Sequence, residues 1–101
     1  MVASFKHISV EDTRKCIDDG KTAIVDIRDP ASYTQGKIGN ATRLDNASIP
    51  VFLANTPKDT PVIVYCYRGV GSQQVAQFLC DQGFEDVSSM DGGYEAWNLA
   101  S

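Results

Sequence analysis

The sequence predicts an α/β fold built on a largely parallel sheet. Short apolar runs alternate with helix-like stretches from end to end, and each junction carries turn or capping residues. The run Val62-Ile63-Val64-Tyr65 is mostly β-branched and unbroken, the pattern of a strand covered on both faces, which places it at the sheet centre.

Each element has a local cause. Ser9 is an N-cap for a first helix of roughly ten residues, which closes near Gly20, a natural C′ residue. A short strand with His7 at its entrance precedes it. Ala23-Ile24-Val25-Asp26 reads as a buried strand, and Asp29-Pro30 starts a short helix that ends near Gly36. Ala41-Thr42-Arg43-Leu44 is a weaker strand signal, Ser48-Ile49-Pro50 opens another helix, and Pro57-Lys58-Asp59 turns the chain. After the central strand, Val75, Ala76, Phe78, Leu79 and Cys80 give the next helix an apolar stripe, with Gly83 at its end. Val87-Ser88-Ser89-Met90 is the last strand, Asp91-Gly92-Gly93 a turn, and Tyr94 to Leu99 a final helix that buries Trp97.

The 101 residues are expected to form one domain, 1–101, long enough for a core and too short for two. Hydrophobic content of 43% and charged content of 22% are ordinary for a globular chain. A net charge of −4, with nine Lys and Arg that do not cluster, argues against nucleic acid or a membrane surface as partner. The opening residues, Met1 to His7, lack a long apolar run, and no later segment approaches the ~20 apolar residues of a membrane span. A cytoplasmic location is the expectation. Cys16, Cys66 and Cys80 are odd in number and widely spaced, without a C-x-x-C pair, so free thiols are expected and neither a metal nor a cofactor is implied.

The segment that carries chemistry runs from residue 62 to 79. Its strand ends on Cys66, a glycine-bearing loop follows, and a helix begins. In an open parallel sheet, ligands bind at the carboxyl ends of the strands, which is where Cys66 falls. Loop N–H groups can converge on the sulfur and the helix adds the positive end of its dipole. Both favour the thiolate, which is the nucleophile. A free cysteine of pKa ~8.5 is about 3% thiolate at pH 7, and lowering it to ~6.5 takes about 2.7 kcal/mol of preferential anion stabilisation. Cys80, in its apolar stripe, and Cys16, beside Ile17, are explained by packing. Arg68 offers a guanidinium fork to an oxyanion or to solvent, Arg28 reads as a structural ion-pair partner, and His7 is a poor candidate for a general base.

These residues resemble the rhodanese family. Ile24-Val25-Asp26-Ile27-Arg28 followed by Gly36-Lys37-Ile38-Gly39-Asn40-Ala41 is similar to its N-terminal signature, Cys66-Tyr67-Arg68-Gly69-Val70-Gly71-Ser72 to its active loop, and Asp91-Gly92-Gly93-Tyr94-Glu95-Ala96-Trp97 to its C-terminal signature. The length, and Tyr67 after the cysteine, most resemble the single-domain GlpE-type thiosulfate sulfurtransferases. The resemblance implies a sheet of about five mostly parallel strands with helices on both faces. It also implies two-step transfer of sulfane sulfur: Cys66 takes sulfur from thiosulfate, loop N–H groups from Tyr67 to Ser72 hold the persulfide, and cyanide, a thiol or a dithiol protein such as thioredoxin accepts it.

Two positions depart from the family pattern. Lys37 stands where many members have histidine, and Gly71 where many have a cationic or hydroxylic residue, so substrate preference is open. Two other functions compete. The related phosphatases place an arginine six residues after the cysteine, but position 72 here is serine. Some rhodanese-like domains have lost the cysteine and only bind partners, a reading that Cys66 opposes.

Overall fold

The computed structural model describes residues 4–100. The opening segment read above for a leader therefore starts outside the described residues. The strands are β1 (Lys6–Ile8), β2 (Ala23–Asp26), β3 (Thr42–Arg43), β4 (Val62–Tyr65) and β5 (Val87–Met90). The helices are α1 (Val10–Asp19), α2 (Pro30–Gln35), α3 (Ile49–Asn55), α4 (Gly71–Asp81) and α5 (Gly93–Ala100). All strand pairs are parallel, in the order β1-β5-β4-β2-β3, so the β-branched run does lie at the centre.

Alternation along the strands makes two cores. Val25, Val62, Val64 and Val87 pack against Phe52 of α3 and against Ala76, Leu79 and Cys80 of α4. Ile24, Ile63, Tyr65 and Met90 project to the other face, where Ile17 of α1, Tyr33 of α2 and Tyr94 and Trp97 of α5 meet them. The result is a single α/β domain with helices on both faces. No helix among the described residues is long and apolar enough to cross a membrane.

The helix ends behave as their residues dictate, with one exception. Ser9 accepts from the Asp12 N–H at 3.0 Å, Asp29 from that of Ser32 at 3.1 Å. At the end of α4, Gly83 (φ 103°) donates to Cys80 O and Phe84 to Leu79 O, a Schellman closure. The exception is Ser48, which makes no side-chain cap for α3. Asp45 instead holds the turn that leads into α3, accepting from the N–H groups of Ala47 and Ser48 at 2.9 Å each. Two apolar expectations also need correcting. Phe78 is on the outer edge of its stripe and 38% exposed, and Trp97 is only half-buried, with the Arg14 guanidinium 4.2 Å over its ring.

A charged pair is buried at the carboxyl edge of the sheet. Asp26 is fully buried and Arg28 nearly so. The Arg28 Nη2 donates to Asp26 Oδ2 at 2.6 Å and to Gly36 O at 2.5 Å, and its Nε donates to the same carboxylate. Tyr65 donates its hydroxyl to Asp26 Oδ2 at 2.6 Å and accepts from the Ile38 N–H at 3.1 Å. Burial, reinforced by the bond to Asp26, pushes the Tyr65 phenol above its usual value, so it remains a donor. The Arg28 guanidinium also stacks over Tyr94 at 4.0 Å.

Arg28→Ala leaves the Asp26 carboxylate buried without its cation, and a loss of about 3–5 kcal/mol is expected. Lys6→Ala, which breaks the exposed Lys6–Asp86 pair of 2.7 Å, should cost no more than about 1 kcal/mol. Urea unfolding of the two variants beside the parent chain checks the difference; equal losses would contradict this placement of the buried pair.

Candidate active site

Cys66 follows β4 directly and sits half-buried at the mouth of the loop 66–70, with α4 beginning at Gly71. Its Sγ accepts from the Gly69 N–H at 3.0 Å and lies 3.4 Å from the Ser72 Oγ. Burial pushes the thiol up, but the Ser72 hydroxyl and the N–H groups of Ser72, Gly69 and Arg68 outweigh it, and the net pKa falls below the ordinary cysteine value. Cys80 goes the other way: burial, with Asp81 nearby, pushes it up.

The loop is shaped by close backbone approach. Gly69 has φ 87°, and a Cβ there would come within 2.8 Å of Gly92 N. Gly93 has φ 60°, and a Cβ there would lie 2.6 Å from the carbonyl oxygens of Cys66 and Tyr67. These carbonyls are held by the first amides of α5: Tyr94 N–H donates to Cys66 O at 2.8 Å and Glu95 N–H to Tyr67 O at 2.9 Å. Orphan donors of a helix start thus fix the loop. Gln73 adds a brace, its Nε2 donating to Gly69 O at 2.8 Å.

The residues expected around the sulfur take different parts. Gly69 and Ser72 touch it, and Arg68 contributes its N–H. The Arg68 side chain points outward, 75% exposed, with its Nε 3.3 Å from Glu95. Tyr67 and Val70 present exposed side chains on the rim. Gly71 needs no glycine for its backbone, and a Cβ there would meet only Ile27 at 3.8 Å. His7 lies in the middle of β1, where its Nδ1 pairs with Asp91 at 2.8 Å. A cleft of about 500 Å3 opens beside the sulfur rather than over it, lined by Tyr67, Arg28, Ser32, Gly36, Tyr94 and Glu95 among others.

Sequence reasoning did not single out Ser89, whose hydroxyl is 2.7 Å from that of Ser72, nor Gly93 and Gln73 as loop supports. The signal for Ser89 was available: a pair of serines occupies a strand whose neighbours are apolar on both faces.

A parallel sheet with a cysteine cradled between its central strand and a helix start defines a class of thiolate-bearing α/β domains. The chain belongs to the family described as "Rhodanese-like domain", whose profile matches residues 9–100. It is 47% identical over 97 residues to a protein named thiosulfate sulfurtransferase GlpE from Pseudoalteromonas translucida (strain TAC 125), covering 96% of this chain and 92% of that one. A protein of the same name from Shewanella oneidensis is 43% identical over 100 residues, covering 99% of each chain. Among solved structures, a rhodanese-related protein from Thermoplasma volcanium superposes with a TM-score of 0.81 at 21% identity, over 96% of this chain and 94% of that one.

Gly93→Ala should push the α5 start off the Cys66 and Tyr67 carbonyls and cost about 2 kcal/mol or more through strain at positive φ. Gly71→Ala, at an unstrained helical position, should be neutral or stabilising by up to about 1 kcal/mol. Thermal unfolding midpoints check the pair, with roughly 4–8 °C expected per kcal/mol.

Proposed function

We propose that residues 1–101 form one rhodanese domain that acts as a thiosulfate sulfurtransferase, with Cys66 carrying the sulfur. The observation that carries this reading is the half-buried sulfur with a lowered pKa, held by loop amides at the start of α4. The names of the relatives at 43–47% identity support it.

In the first half-reaction the Cys66 thiolate attacks the outer sulfur of thiosulfate. The S–S bond of thiosulfate breaks, sulfite leaves with its electron pair, and a Cys66 persulfide remains. In the second, cyanide or a thiolate attacks the terminal sulfur and the electron pair returns to Cys66. Cyanide becomes thiocyanate. A dithiol protein such as thioredoxin takes the sulfur on one thiol, and its second thiolate displaces it as hydrogen sulfide while closing a disulfide. Two half-reactions joined by a covalent intermediate predict ping-pong kinetics.

The outer sulfur of the persulfide is an anion beside the same donors, so one cradle serves both states. The N–H groups of Arg68, Gly69 and Ser72 do the holding, while the Arg68 guanidinium lies exposed at the rim in an ion pair with Glu95, which an incoming dianion would have to share. Ser72 supplies a buried hydroxyl where phosphoryl transfer would need a guanidinium, which disfavours a phosphatase. Free cysteines, with no disulfide, fit a reducing compartment such as the cytoplasm.

Incubation with thiosulfate, removal of excess reagent and intact-mass measurement should show the gain of one sulfur atom, absent from Cys66→Ser. No gain, or a gain that survives Cys66→Ser, would sink the proposal. The loading rate should be level above the lowered Cys66 pKa and should fall as pH drops through it, because protonation removes the nucleophile. Stopped-flow loading across pH checks the sign.

A further inference from the structure

Ser89 is the second serine of β5 and is 1% exposed on the face where its strand neighbour Val87 joins the apolar core. A buried hydroxyl is costly unless bonded. Its bond goes to Ser72, itself fully buried: the two Oγ atoms are 2.7 Å apart, and either can donate. Ser72 Oγ is in turn 3.4 Å from the Cys66 sulfur. Three groups on three different elements, β4's end, α4's first turn and β5, thus form one line of hydrogen bonds ending at the sulfur.

We propose that Ser89 is a positioning residue that acts through Ser72, the two hydroxyls forming a relay whose direction reverses with the charge on Cys66. Ser72 has one proton to give. When Cys66 is a thiol, its S–H donates to Ser72, and Ser72 donates to Ser89. When the sulfur is an anion, Ser89 donates to Ser72, which frees the Ser72 proton to point at the sulfur. The thiol proton leaves to water; each hydroxyl proton stays on its own oxygen and only rotates. Ser89 therefore makes the anionic state self-consistent, and polarisation along the chain strengthens the bond to sulfur.

Charged side chains do not replace this device. Around the site, Arg68 faces Glu95, Arg28 faces Asp26, Asp91 faces His7 and Arg43 faces Asp45, so each has a partner. Asp29 caps α2, and Asp81 is at the far end of α4. The sulfur is left to dipoles: the loop amides, the helix start and the Ser72 hydroxyl.

The inference rests on Cys66 being the working thiolate but not on which substrate it takes, so alkylation is the chosen readout. Iodoacetamide labelling of Cys66, resolved by peptide mass from Cys16 and Cys80, gives the pH midpoint of its reactivity without any sulfur donor. Ser89→Ala should move that midpoint upward by about half a pH unit, roughly a threefold loss of rate below it, and Ser72→Ala further. The double variant should match Ser72→Ala alone, because Ser89 acts only through Ser72. Ser88→Ala, which deletes a buried hydroxyl from the opposite face of the same strand, should leave the midpoint in place. Ser89→Thr, which keeps the hydroxyl, should bring the midpoint most of the way back to that of the parent chain. An unchanged midpoint in folded Ser89→Ala, an equal shift in Ser88→Ala, or additive shifts in the double variant would each overturn the relay. Failure of thiosulfate loading with these shifts intact would instead count against the substrate alone.

Discussion

The amide–carbonyl clamp between the start of α5 and the Cys66 loop is the constraint on which the rest of the site depends. Tyr94 and Glu95 donate to the carbonyls of Cys66 and Tyr67, and Gly93, with Gly69 facing it from the loop, leaves out the side chain that would prevent the approach. Fixing those two carbonyls turns the following amides inward, toward the sulfur. A helix start normally needs a capping side chain for its free N–H groups. Here the loop is the cap, so the start of the last helix and the cradle hold each other in place.

The buried Asp26–Arg28 pair holds the other side of the same edge. Tyr65, the residue before Cys66, is tied through its hydroxyl to Asp26, and Tyr94, just inside α5, lies under the Arg28 guanidinium. The strand end before the loop and the helix start that grips it are therefore referred to one ionic group. Such pairs are weak sources of net stability, since desolvation offsets their attraction, but breaking one is severe. Their use here is register: Arg28 bonded to Gly36 O also places α2 against the cleft beside Tyr67.

Much of this was legible in the sequence, for stated reasons. β-branched runs and caps such as Ser9 and Asp29 are local, so the elements and the central position of β4 could be read directly, and the strand end followed by a glycine-bearing loop pointed to Cys66. The misreadings involve choices settled by neighbours. Ser48-Ile49-Pro50 does open α3, but the Ser48 hydroxyl is occupied, donating to Arg43 O, and makes no cap. Phe78 looks like core by period, yet α3 and α4 leave its edge of the helix open. Ser89 and Gln73 reach the site only through contacts across elements, which spacing along the chain does not encode.

The proposed sulfur transfer asks Cys66 to be a nucleophile in one half-reaction and a leaving group in the other, and the two demands pull its pKa in opposite directions. Strong stabilisation of the thiolate makes it leave well and attack poorly. A fixed cation against Cys66 would weight the balance toward leaving. The site instead sets burial, which raises the pKa, against short dipoles that lower it, and the dipoles prevail. Amides are rigid, but a hydroxyl can turn. On the proposed sulfur transfer, the Ser72 hydroxyl is a donor able to follow the charge from Cys66 to a persulfide sulfur and back, and in the proposed relay Ser89 gives it a second partner when it turns away.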